Sequence, residues 1–296
     1  MTVVRSAATA DPAIQTHRLV KRFGSLTAVD NLDLAVQRGE VFGFLGPNGA
    51  GKTTTIRLLL GFLSPSSGAS TILGRPGRDP EARRRVGYLP ADLAIDPHYT
   101  GHDVIQFFGA LRGGYNVPFT QTLLQRFDLD PSRPIGELST GNRRKVGILQ
   151  AFMHRPDLLI LDEPTSGLDP LLQQEFHLLL REEVARGATI FLSSHVLPEV
   201  EALAGRVGIL RKGRLVTVAT LAELRAKARQ RIDIFTAGPP PRGLFEPLPG
   251  VRSVAYHDGG VQLVVEGPVG LTIERIHTPG QDLEDLFLEY YKGSDP

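Results

Sequence analysis

The chain contains no cysteine, so it can form neither a disulfide framework nor a zinc–thiolate site. That absence fits a reducing compartment. Long apolar runs are missing as well: none approaches the roughly 20 residues that span a bilayer. The longest stretches, LLLGFL and LLILDEP, end at turn or charged residues. The first residues, MTVVRSAATADPAIQTH, hold no signal-peptide core, because Arg5 and Asp11 interrupt them. Neither sign of charge is in excess: 33 Lys and Arg stand against 32 Asp and Glu, a net charge of +1 over 296 residues. A nucleic-acid binder normally carries a basic surplus, so no nucleic-acid partner is expected. What is present is an ordinary globular balance, 41% hydrophobic and 22% charged, which excludes a wholly disordered chain. The expectation is a cytoplasmic protein, for which any membrane role requires a separate membrane-embedded partner.

Residues 1–13 are small and polar and read as a loose tail. Apolar, β-branched runs then alternate with helical patterns, which predicts an α/β architecture. IQTHRLVKRF, AVDNLDLAV and EVFGFLG read as strands, and a helix is expected from Lys52 with Ile56, Leu59 and Leu60 on its apolar face. Residues 100–155 read as mostly helical, with turns at Gly113-Gly114 and Pro131–Pro134. The texture changes near Thr217, and a domain boundary is expected near 218. Beyond it, the Pro/Gly cluster AGPPPRGLFEPLPG reads as a loop. VRSVAY and VQLVVE, joined by HDGG, read as a hairpin. DLEDLFLEYY reads as a closing helix, with Leu283, Leu286 and Phe287 on one face.

Gly46-Pro47-Asn48-Gly49-Ala50-Gly51-Lys52-Thr53-Thr54 satisfies GxxxxGK[ST] and stands between an apolar strand and a helix. Such a loop aims backbone N–H groups at phosphate oxygens, and the helix N-terminus adds partial positive charge. Lys52 supplies a mobile cation for the β- and γ-phosphates, and Thr53 offers a hydroxyl to Mg²⁺. A phosphate loop needs a metal-binding acid at a neighbouring strand end, and LLILDEP provides Asp162. Glu163, next in sequence, is placed to polarise a water towards the γ-phosphate. ATP and Mg²⁺ are therefore the expected ligands.

Further pieces lie in order around these. Leu138-Ser-Thr-Gly-Asn142 precedes the acid strand, Ser166-Gly-Leu-Asp169 follows it, Ser193-Ser-His195 ends the next strand, and Leu19-Val-Lys-Arg-Phe-Gly24 lies near the start. With these the chain resembles the ATP-binding subunits of ABC transporters over residues 14–218. The resemblance implies that Ser139 and Gly141 of the signature segment touch phosphate on a second subunit. It implies a D-loop contact for Asp169, a γ-phosphate and water contact for His195, and an adenine stack on Phe23. It also implies an α/β P-loop ATPase core with an antiparallel β layer and a helical subdomain at about 92–157. A small α+β appendage at 219–296 resembles that of ATPases serving ABC-2-type exporters.

Two segments depart from the family pattern. Thr140 and Asn142 replace a glycine and a glutamine in the signature. After VGYLP the family's glutamine is absent: Ala91 stands there, followed by Asp92, which either takes over the Mg²⁺ contact or leaves it lost. The implied function is ATP hydrolysis by a homodimer that sandwiches two ATP molecules and drives a separate integral-membrane permease from the cytoplasmic face. The alternatives are a soluble ATPase of this type uncoupled from transport, and a non-hydrolysing ATP-sensing module. His98 with His102 reads as a turn rather than a metal pair, and Arg83–Arg85 as a solvated helix end.

Overall fold

In the computed structural model, residues 11–227, 229–235, 242–248, 250–257 and 259–266 are described. In chain order the elements are β1 (Ile14–Phe23), β2 (Leu26–Val36), β3 (Val41–Leu45), α1 (Lys52–Leu59), β4 (Ser67–Ile72), β5 (Arg75–Pro76), α2 (Pro80–Arg84), β6 (Val86–Leu89), α3 (Gly101–Arg112), α4 (Val117–Arg126) and α5 (Thr140–Phe152). There follow β7 (Leu158–Asp162), α6 (Pro170–Ala185), β8 (Thr189–Ser194), α7 (Leu197–Glu201), β9 (Arg206–Arg211), β10 (Arg214–Thr220), α8 (Leu221–Lys227), β11 (Arg229–Phe235), β12 (Val251–His257) and β13 (Gly260–Glu266). The chain divides into two compact units, Met1–Val218 and Ala219–Pro296.

The first unit is built on a six-stranded sheet of order β10-β9-β3-β8-β7-β6. β3, β6, β7, β8 and β9 pair in parallel. Parallel strands covered on both faces must be apolar along their whole length. LLILD of β7 and TIFLSS of β8 meet that demand, and every residue of both is buried. Phe42 and Phe191 stack across the β3–β8 pair at 5.9 Å between ring centroids. Register decides what meets at the carboxyl ends: Leu45 pairs with Ser194, and Asp162 pairs with Ser193. The ends of β3, β8 and β7 thus lie side by side, the edge where open α/β sheets build their sites.

A second sheet, of order β2-β1-β4-β5, pairs antiparallel throughout. It carries the β1–β2 hairpin, whose tip pairs Phe23 with Leu26. Three helices make up most of residues 101–152. Thr100 caps α3 in a reciprocal box with Asp103, and Asn116 caps α4. Ser139 caps α5, its hydroxyl accepting the Asn142 N–H at 3.2 Å.

The second unit holds α8 and an antiparallel sheet of order β11-β13-β12. Ile232, Val261, Leu263 and Val265 form its core. The period-2 alternation of VQLVVE puts Val261, Leu263 and Val265 on one face. The closing segment DLEDLFLEYY and most of residues 1–13 lie outside the described residues. Among the described residues no helix is long and apolar enough to cross a membrane.

Candidate nucleotide site

β3 passes from Leu45 straight into the glycine loop, which hands over to α1. Gly51 stands at φ +109°, and a Cβ there would lie 2.4 Å from the Ala28 carbonyl oxygen, so no other residue fits. α1 has no side-chain cap. Its first-turn N–H groups have no intrahelical acceptor, the state that receives an anion. A cavity of about 710 Å³ opens over this turn. Pro47, Asn48, Gly49, Gly51, Lys52, Thr53 and Thr54 line it, together with Phe23, Ala91 and Glu163. The volume falls in the range of small-molecule sites.

Lys52 is buried, with 6% of its surface exposed. Its Nζ donates to the Gly46 carbonyl at 2.5 Å and lies 3.1 Å from Glu163 Oε1. Glu163 Oε1 has no aligned hydrogen bond, so the contact is an ion pair. On the other carboxylate oxygen, Oε2, His195 Nδ1 stands at 2.8 Å. Glu163 has a φ of +48°, a left-handed backbone that costs an L-residue about 1–2 kcal/mol. That turn carries its side chain off the end of β7 towards Lys52.

Asp162 is fully buried at the end of β7. Its Oδ2 accepts from Thr53 Oγ1 at 2.8 Å and its Oδ1 from Ser193 Oγ at 2.5 Å. A hydroxyl and a carboxylate within hydrogen-bond reach form a hard-oxygen pair. Mg²⁺ prefers such oxygens and is commonly held by one or two protein ligands plus substrate phosphates. Among the described residues no group of three or more His, Asp or Glu could hold a metal alone. The donor set therefore fits a nucleotide-borne Mg²⁺.

Other expected residues are placed elsewhere. Asp169 caps α6, its Oδ1 accepting from the Leu171 and Leu172 N–H groups at 3.0 Å. Ser139, Gly141 and Asp169 do not line the cavity. Ala91 lines it, whereas Asp92 lines a second cavity of about 400 Å³ with Arg57, Phe62, Tyr88, Phe108 and Arg112. Adjacent residues thus line different cavities, and Asp92 is not among the residues lining the one over Thr53. Ser193 and Arg144 are the residues that sequence reasoning missed. Arg144 carried a readable signal: it shares an i, i+4, i+8 stripe with Ile148 and Phe152, both fully buried.

A phosphate loop at one strand end, facing an acid pair two strands away, defines a P-loop nucleotide hydrolase. Residues 29–166 match the family described as "ABC transporter". The Nod factor export ATP-binding protein I of Paraburkholderia xenovorans is 37% identical over 296 residues, covering 94% of this chain and 96% of that protein. "Probable multidrug ABC transporter ATP-binding protein YbhF" of Escherichia coli is 35% identical over 225 residues, and the match spans 74% of this chain and only 39% of YbhF. Among solved structures, an ATP-binding subunit of an ABC transporter matches with a TM-score of 0.68 and 30% identity, over 72% of this chain and 92% of the other. The chain belongs to the ATP-binding proteins of ABC transporters, a family of ATPases.

Proposed function

We propose that this chain hydrolyses ATP to drive an exporter whose membrane pore is a separate permease. Phe23 takes the adenine face, and Lys52 with the amides of Gly46–Thr54 takes the phosphates. Thr53 and Asp162 are the residues that would hold Mg²⁺, which when bound neutralises charge on the β- and γ-phosphate oxygens. Ser193 keeps Asp162 aligned, and Glu163 accepts the proton of the attacking water. His195 holds the Glu163 carboxylate in orientation through Nδ1 and reaches towards the γ-phosphate. The observation that carries the reading is the Glu163 carboxylate, poised between the Lys52 ammonium at 3.1 Å and the His195 ring at 2.8 Å. An arriving γ-phosphate competes for Lys52 and frees that carboxylate for water.

The signature segment supports a homodimer. Ser139 and Gly141 begin α5 and stand apart from the residues lining the chain's own cavity. A second copy, placed head to tail, supplies them to the ATP held by Lys52. Closure follows ATP binding, and hydrolysis reopens the pair. The Nod factor export relative, matched almost end to end, favours export as the direction of transport. The working place is the cytoplasmic face of a membrane, beside the permease.

The test is Glu163→Gln in the full chain. The variant is expected to bind ATP normally and to sediment as an ATP-bound dimer. Its hydrolysis is expected to fall by about 10²-fold or more, the scale of a lost general base. Wild-type turnover would remove Glu163 from the chemistry, and a monomer in saturating ATP would remove the dimer.

A further inference from the structure

Arg144, the fifth residue of α5, is 5% exposed, yet among the described residues no carboxylate forms an ion pair or hydrogen bond with it. Its guanidinium meets main-chain carbonyls instead. Nε donates to Pro164 O at 3.1 Å. Nη1 donates to Pro90 O at 2.5 Å and Ala91 O at 3.0 Å. Nη2 donates to Asp162 O at 3.0 Å and to Glu163 O. A guanidinium has five N–H donors, and here each has an acceptor. Burial lowers its pKa to about 10, so it stays charged at neutral pH.

The five acceptors come from two segments only. Residues 162–164 run off the end of β7, whose last residue is Asp162, and contain the left-handed turn at Glu163. Residues 90–91 follow β6, and Ala91 lines the nucleotide cavity. Three consecutive carbonyls converge on one side chain because the positive φ of Glu163 turns the chain between them. Without that side chain they would be left unpaired in a buried place, and the turn would lose what holds it. Lysine cannot substitute, since one ammonium nitrogen does not span two segments with a planar fork.

We infer that Arg144 is the positioning residue that fixes the backbone turn of Glu163 and couples it to the Pro90–Ala91 loop at the nucleotide cavity. The inference rests on the reading of Glu163 as the group that activates water. A displacement of the cavity loop, or of α5 beneath the signature segment, is passed through one rigid fork to the Glu163 carboxylate. The link runs through main-chain oxygens, which explains how it operates at a position where Ala91 offers no polar side chain.

The experiment uses the full chain and the variants R144Q, R144K, E163Q and R144Q/E163Q. Single-turnover hydrolysis is followed with γ-labelled ATP, and ATP affinity by equilibrium titration. Melting curves check that each variant folds. R144Q is expected to lose about 10²-fold in kcat, the cost of misplacing a reacting group by about 1 Å, with ATP affinity within about twofold of wild type. R144K is expected to fall similarly. In the E163Q background, R144Q is expected to cause no further loss, because Arg144 acts through Glu163. A further loss in that background as large as in the wild type would make Arg144 a general brace and overturn the inference. So would a loss of affinity equal to the loss of kcat. A slow E163Q beside an unaffected R144Q would overturn only the assignment of Arg144, whereas wild-type turnover in E163Q would overturn the reading of Glu163 itself. Should R144Q not fold, R144K carries the same comparison.

Discussion

His154 makes the first unit acid-sensitive in a way that can be calculated. It follows α5, with Nε2 3.2 Å from the Val86 carbonyl oxygen. Nε2 therefore carries the proton of the neutral ring, and Nδ1 is the bare nitrogen. Nδ1 is buried with no hydrogen-bond partner. A proton added there would find no acceptor. Burial, and then the positive charge of Arg112, push the His154 pKa from its ordinary 6.5 down to about 3. The unfolded chain takes up a proton below pH 6.5, and the folded chain does not until pH approaches 3. The stabilisation is complete above pH 6.5 and is lost as pH falls from there. At pH 5 the single site removes about 2 kcal/mol relative to pH 7.5. For a unit of about 200 residues that is about 4–8 °C in Tm. His154→Gln keeps a donor for Val86 and cannot titrate. Melting curves of both chains at pH 7.5 and pH 5 cancel the titrations they share. The wild type is expected to lose the stated interval more than the variant. Parallel losses would refute the argument, because they would mean that His154 takes up its proton equally in both states.

Two further outcomes follow from the site. Phe23 is 46% exposed at the hairpin tip, with the Lys21 ammonium 5.0 Å from its ring centroid. Phe23→Ala is expected to weaken ATP and GTP alike by about 1–3 kcal/mol in equilibrium titrations, because stacking ignores the base edge; unchanged affinity would return Phe23 to a purely structural part. Asp92 faces the second cavity, so Asp92→Ala is expected to leave the Mg²⁺ concentration for half-maximal hydrolysis unchanged. A raised requirement would bring Asp92 back to the metal.

The parts of the site that could be read from sequence are those written in consecutive residues. Gly46–Thr54 needs only its own spacing, because a strand, a tight glycine turn and a helix start form one local unit. Asp162 and Glu163 are legible for the same reason: four apolar residues end in two acids, which marks a buried strand reaching its edge. Resemblance added His195, and the structure sets its Nδ1 2.8 Å from Glu163 Oε2. Strand order was not legible. It places β8 between β3 and β7, and so brings the Ser193 hydroxyl to Asp162 across 31 positions of sequence. Tertiary structure also decided between adjacent residues, turning Ala91 into the nucleotide cavity and Asp92 into the other. It spent the Asp169 carboxylate on a helix cap. Arg144 shows the physical reason most directly. Its five acceptors are backbone carbonyls, which every residue possesses, so no residue type in the sequence marks them. Only the placement of α5 beside β6, from which the Arg144 side chain reaches the end of β7, selects which five they are.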